Sequence, residues 1–257
     1  MAETDSIELT IEARVATLVL NRPKARNALD VRMLDRLPGL LHELSEDEAV
    51  RCVVVTGAGD RAFCAGGDIS GLGGQEVTQP ADLVDRLEAW SQASILLHEM
   101  PKPTLAAVNG TAAGAGMALA LACDLRMASD NARFITSFAK LAMSGDFGGS
   151  YYLTQLVGPS KARELYYLSD RVEAEEALAL GLVNWIVPSS ELIEQTRATA
   201  ERLAAMPRLT YRNMKRNLNA SLHQDVRAVV RLEAEAMIET VMSEETREAA
   251  TAFFKKG

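Results

Sequence analysis

Residues 102–129 read KPTLAAVNGTAAGAGMALALACDLRMAS, and the order of residue types within them decides the fold class. TLAAVNG (104–110) is a short apolar run closed by Asn-Gly, the pattern of a strand buried on both faces. Small residues from Ala112 onward, with Gly114 and Gly116 among them, open a helix able to pack closely on its neighbours. CDLRMAS (123–129) then returns to strand character. Residues 105–123 are only marginally long enough to cross a bilayer, and Asn109, Thr111 and three glycines interrupt them, so they read as buried strand, turn and helix.

The same alternation runs outward in both directions. IELTIEARVATLVLNR (7–22) alternates and then turns continuously apolar, which predicts a hairpin with its turn near Glu12 and Ala13. After Asn27, the residues Leu29, Met33, Leu34, Leu37 and Leu41 share one helical face until the acidic SEDEA (45–49). CVVVTG (52–57) is a buried strand, 82–99 is helical, and ARFIT (132–136) is a further strand candidate. Strands alternating with helices through residue 187 predict an α/β core with largely parallel pairing. From Ser189 the chain is almost wholly helix-forming, with Val226, Val230, Ala234, Met237 and Val241 in one stripe that meets either its own core or another subunit. The expected division is a core over 1–188 and a helical region over 189–257.

The formal net charge of −8 argues against nucleic acid or an anionic membrane as a partner. Cys52, Cys64 and Cys123 are widely spaced, with no CxxC pair, and read as buried free thiols of a reducing cytosol. MAETDSIEL carries acids where a secretory signal carries Lys or Arg. The expectation is therefore a cytoplasmic protein. No His, Cys and acid cluster suggests a metal or redox cofactor.

Three segments are read as strand, glycine-bearing turn and helix N-terminus: 53–70, 105–120 and the opening of SGDFGGSYYL (144–153). Gly66 and Gly67 let backbone approach a ligand closely, and the turn at Gly114, Ala115 and Gly116 offers a second set of N–H donors. Two such donors converging on one point would stabilise a developing oxyanion. Asp146, the one acid in SGDFGGSYYL, is on residue type alone either an N-cap or a catalyst.

NRPKARNAL (21–29), AFCAGGDI (62–69), residues 102–129 and ARELYYLSDRVEAEEALALGLVNWIV (162–187) together resemble the enoyl-CoA hydratase/isomerase, or crotonase, superfamily. The resemblance covers nearly the whole chain. It implies an α/β spiral of ββα units, a C-terminal helical trimerisation region, homotrimers or hexamers built from two trimers, and acyl-CoA thioester substrates. Coenzyme A would thus arrive as part of the substrate, with no separate cofactor.

By position, the resemblance carries the oxyanion-hole amides to Gly67 and Ala115 and the adenine-binding segment to the backbone around Ala65. Gly66, Asp68 and Ile69 lie in the same CoA-binding stretch. Arg22, Lys24 and Arg26 fall where relatives approach the CoA phosphates, and Phe253 and Lys256 resemble the C-terminal element that closes on a neighbour's CoA.

Hydratases of this superfamily hold two glutamates about the substrate double bond, and their positions are Ala118 and Phe138 here. Neither can carry a proton. Asp146 stands where the superfamily's aspartate-type isomerases, such as 1,2-epoxyphenylacetyl-CoA isomerase, carry a catalytic aspartate, and Phe138 lines the acyl site. Apolar neighbours Phe138, Met143 and Phe147 should raise the pKa of Asp146 by desolvation.

The resemblance thus implies a double-bond isomerase. The alternatives are a hydratase using a loop acid, such as Glu76 or Asp82, and a non-catalytic acyl-CoA-binding protein. 4-Chlorobenzoyl-CoA dehalogenases also use an aspartate at this position, but their histidine aligns with Ser91, although Trp90 matches. His42, His98 and His223 read as packing or surface residues, and no GxSxG elbow is present.

Overall fold

The computed structural model describes residues 6–68 and 80–254. The chain opens on an antiparallel hairpin, β1 (Ile7–Glu12) and β2 (Val15–Leu20), in which Ile7 pairs with Leu20. The turn sits on Ala13 and Arg14, at φ 48° and 65°, one residue beyond the expected place. Positive φ at both central residues matches the right-handed twist of the strands. α1 (Val31–Glu46) follows, started by Asp30, whose carboxylate accepts the Met33 N–H at 2.9 Å.

Among the described residues, three ββα units then repeat one plan. Their first strands, β3 (Cys52–Gly57), β5 (Thr104–Val108) and β7 (Leu125–Ser129), lie parallel in one sheet of order β1-β2-β3-β5-β7-β10. Their second strands, β4 (Ala62–Cys64), β6 (Thr111–Ala113) and β8 (Arg133–Ile135), lie parallel in a smaller sheet of order β4-β6-β8-β9. The units close with α2 (Pro80–Glu99), α3 (Ala115–Ala122) and α4 (Gly149–Leu168), the last broken at Gly158 and Pro159. Each unit moves the chain one strand along both sheets, and the result is a spiral. β9 (Val172–Glu173), α5 (Ala174–Ala179) and β10 (Trp185–Val187) complete the sheets.

The corners between first and second strands explain two glycines. A Cβ on Gly57 would stand 2.3 Å from the Phe63 carbonyl oxygen, and one on Gly110 would stand 2.5 Å from the Arg61 carbonyl carbon. Neighbouring corners are stitched by Asn109, whose Nδ2 donates to the Gly57 and Gly59 carbonyls at 2.8 and 2.6 Å.

Two expectations need correction. Thr111–Ala113 is a strand rather than the start of the helix, because β4 and β8 offer it hydrogen-bonding edges on both sides. The segment before SGDFGG is a 3₁₀ turn (Ala139–Leu141), not a strand.

The C-terminal region consists of α6 (Leu192–Ala204), α7 (Arg208–Ser221), α8 (Val226–Val241) and α9 (Glu244–Phe254). α6 lays Leu192, Ala200 and Ala204 on Val54, Leu105 and Met127, covering the face of the large sheet away from the main core. α7 is fastened by a buried lysine: Lys215 Nζ donates to Asp124 Oδ2 at 2.8 Å and to the Leu97 and Lys102 carbonyls at 2.9 and 3.2 Å. The stripe on α8 does not meet this chain's core, since Val226, Val230, Ala234, Met237 and Val241 are all exposed. Among the described residues no helix is long and apolar enough to cross a membrane.

Candidate active site

The turn after β4 is zipped to residues 26–29. Ala65 N–H donates to the Arg26 carbonyl at 3.1 Å, Leu29 N–H to Gly66 at 2.8 Å, and Asp68 N–H to Leu29 at 2.9 Å. These bonds alternate along the chain and leave the Gly67 N–H without a partner among the described residues. Gly66 holds φ at +95°, and a Cβ there would lie 3.0 Å from the Ala113 oxygen and 3.6 Å from the Ala115 nitrogen. The two glycine turns therefore touch.

Ala115 is the first residue of α3, where a helix leaves its N–H groups unpaired and the positive end of its dipole outward. The earliest bond of the helix runs from Ala118 N–H to the Gly114 carbonyl at 3.0 Å, and no side chain caps the end. α3 can come this near because Gly116 lacks a side chain: its Cβ would fall 2.3 Å from the Cys64 carbonyl oxygen. Two unpaired amides on adjoining turns suit a partial negative charge on oxygen.

Asp146 sits on the next turn, before α4, in a strained stretch where Gly145, Phe147 and Gly148 have φ of 113°, 51° and 68°. It does not cap the helix. The N-cap is Gly148, with no side-chain bond, and Asp146 contributes only its backbone carbonyl, to Gly149 N–H at 3.0 Å. Its Oδ1 is buried without a hydrogen-bond partner. Burial alone pushes the carboxyl up to about 6. Of the three apolar neighbours expected to do this, Phe138 and Phe147 are buried while Met143 is exposed.

Phe138 joins the two chemical ends of the site. Its ring lies 3.6 Å from where a Gly114 Cβ would be, beside the Ala115 amide, and 3.8 Å from where a Gly145 Cβ would be, beside Asp146. Its other neighbour is Tyr166 on α4, stacked at 6.0 Å between ring centroids with 12° between planes. Ala118 is buried against Gly149, 3.3 Å from the place of its missing Cβ. The two positions that resemble the hydratase glutamates are thus apolar and pack on Gly149 and Gly145, in the turn that carries Asp146.

The basic residues divide. Arg22 turns its guanidinium inward, to Asp68 Oδ2 at 3.0 Å, Asp30 Oδ2 at 3.2 Å and the Ala28 carbonyl at 2.6 Å, so it braces the turn at 65–68. Lys24 and Arg26 are exposed beside it. Ile69, Glu76 and Lys256 lie outside the described residues, and Phe253 lies in the last turn of α9. Asp82 is exposed in the first turn of α2.

Trp90 donates to Asp35 at 2.7 Å, beneath the Arg86 guanidinium. His98 packs on Tyr151 and Tyr152, its pKa lowered by burial and then by Lys215. Sequence reasoning missed Tyr166 and Lys215; the signal for the first was its place in ARELYYL, one step from the inward-facing Ala162 and Leu165.

Residues 10–257 match the family described as enoyl-CoA hydratase/isomerase. The chain is 34% identical over 256 residues to the short-chain-enoyl-CoA hydratase of Clostridium acetobutylicum, covering 99% of this chain and 96% of that protein. It is 32% identical over 247 residues to the 1,2-epoxyphenylacetyl-CoA isomerase of Escherichia coli, covering 96% and 94%. The crystal structure of an enoyl-CoA hydratase from Bacillus anthracis superposes with a TM-score of 0.92 at 30% identity, over 98% of this chain and 97% of that one.

Proposed function

The chain belongs to the enoyl-CoA hydratase/isomerase family, and from that footing we propose that it is an acyl-CoA double-bond isomerase with Asp146 as its base. The observation that carries this reading is a half-buried aspartate whose Oδ1 is buried and unpartnered and whose carboxyl is raised to about 6, on a turn packed against Ala118 and Phe138. Such an acid is ionised at neutral pH yet still basic enough to take a proton from carbon next to a thioester.

Asp146 removes a proton from C2 of a 3-enoyl thioester, and the electron pair moves into the carbonyl. The Gly67 and Ala115 N–H groups hold the resulting dienolate oxygen. The C3–C4 double bond then moves to C2–C3 as Asp146 returns the proton to C4. No cofactor is needed beyond the substrate's own coenzyme A. Lys24 and Arg26 are the exposed cations suited to its phosphates, beside the Ala65 segment suited to its adenine. The outward stripe of α8 supports assembly with further copies of the chain, as a trimer or a hexamer.

A hydratase is the second reading, favoured by the names of several relatives, among them the Clostridium acetobutylicum protein. Product analysis separates the two. A 3-enoyl-CoA should yield the 2-enoyl isomer, and Asp146→Asn should lose that turnover by roughly 10²–10⁴-fold while still binding CoA esters. Formation of 3-hydroxyacyl-CoA from a 2-enoyl-CoA as the main reaction would replace isomerase with hydratase.

A further inference from the structure

We propose that Tyr166 is a positioning residue for the Asp146 base: its ring, stacked on Phe138, fixes the 145–149 turn and shuts water away from the carboxyl. The inference rests on the assignment of Asp146 as the base.

Tyr166 is placed against that turn at both ends. A Cβ on Gly145 would meet its Cε1 at 3.2 Å, and a Cβ on Gly149 would meet its hydroxyl at 2.7 Å. Gly145, directly before the acid, and Gly149, three residues after it, are thus glycines where the tyrosine presses in. On its other face lies Phe138, nearly parallel at 12°. Turn and rings form one packed layer, so the backbone that carries Asp146 is held by an aromatic pair.

The charges around the site leave this layer as the main control. Burial is the cause of the Asp146 rise, with no charged neighbour contributing. Tyr166 itself is raised to about 12 by burial and by the Asp146 charge, so it remains a neutral phenol close to the acid. Lys140, on the adjoining 3₁₀ turn, donates instead to the Ser169 carbonyl at 2.6 Å and faces Asp170. Tyr151 and Tyr152, on α4, pack on each other and on His98. Ala118, on α3, carries no charge.

The test is the pH profile of kcat/KM for 3-enoyl-CoA isomerisation in wild type, Tyr166→Ala, Tyr166→Leu and Tyr166→Phe, with Asp146→Asn as control. Partial unfolding scales the amplitude of such a profile and leaves its midpoint in place. In wild type, activity should rise with pH through about 6 as the carboxyl ionises. Removing the ring should wet the carboxyl, moving the midpoint down by about one pH unit and lowering kcat roughly tenfold as the base weakens.

Tyr166→Phe keeps the stack and should restore the wild-type midpoint. If Tyr166→Ala does not fold, Tyr166→Leu, which cannot lie flat on Phe138, must shift the midpoint in the same direction. An unmoved midpoint in the folded ring-removing variants, or an equal shift in Tyr166→Phe, overturns the inference. Full activity in Asp146→Asn would instead overturn the base on which it rests.

Discussion

Asp146 carries a stability cost that follows from its surroundings. An ordinary aspartate ionises near 3.8, whereas here burial delays ionisation to about 6. Between those values the folded chain binds a proton that the unfolded chain has released, so stability falls as pH rises through the interval. Below it, both states are protonated and the penalty vanishes. Above it, the buried charge costs about 2–3 kcal/mol. The thermal midpoint of Asp146→Asn relative to wild type should therefore be several degrees higher at pH 8 than at pH 4. A difference independent of pH, measured by differential scanning calorimetry, would show that the carboxyl is not buried as described. On residue type alone, the N-cap was the favoured reading of this aspartate, and the structure gives that place to Gly148. Helix start and acid are separated by Phe147 and Gly148, and backbone at positive φ is not written in any periodicity.

Among the elements, the inner strands β3, β5 and β7 of the large sheet were legible as apolar runs because both their faces are covered. β6 was not, since Thr111, Ala112 and Ala113 are too few and too small to carry a pattern, and only neighbouring edges make them a strand. The fastening of α7 was equally hidden, because Lys215 in RNMKRN looks like a surface cation. It is buried, and its partner Asp124 also receives the Thr104 N–H at 2.8 Å, so one carboxylate holds β5 and α7 together. Lys215→Met leaves that acid and two carbonyls without their donor. The loss should be about 3 kcal/mol, lowering the melting temperature by roughly 6 °C or more and opening the chain beyond α6 to limited proteolysis. A variant that melts with wild type and resists protease equally would contradict this role.

The whole molecule combines a finished interior with an unfinished exterior. The two sheets and the helices packed on them enclose a continuous apolar core, yet Val230, Met237 and Val241 on α8 remain open to water. Contiguous exposed apolar surface of this kind marks an association face. Light scattering should give a trimer or a hexamer, and Val230→Glu should shift the chain toward monomer by placing a charge in that face. A wild-type monomer at micromolar concentration would refute the assembly. The overall spiral was legible only through resemblance: alternation predicts parallel pairing, but not that first and second strands of each unit separate into two sheets.

The most direct measurement of the central claim follows a 3-enoyl-CoA in deuterated water by mass spectrometry, with wild type and Asp146→Asn side by side. Asp146 as the shuttling base predicts a 2-enoyl product without added water, deuterium appearing at C2 or C4 only as protons exchange on the acid, and loss of both signals in Asp146→Asn. Unchanged isomerisation and exchange in Asp146→Asn, or a product that has gained the elements of water, would contradict it.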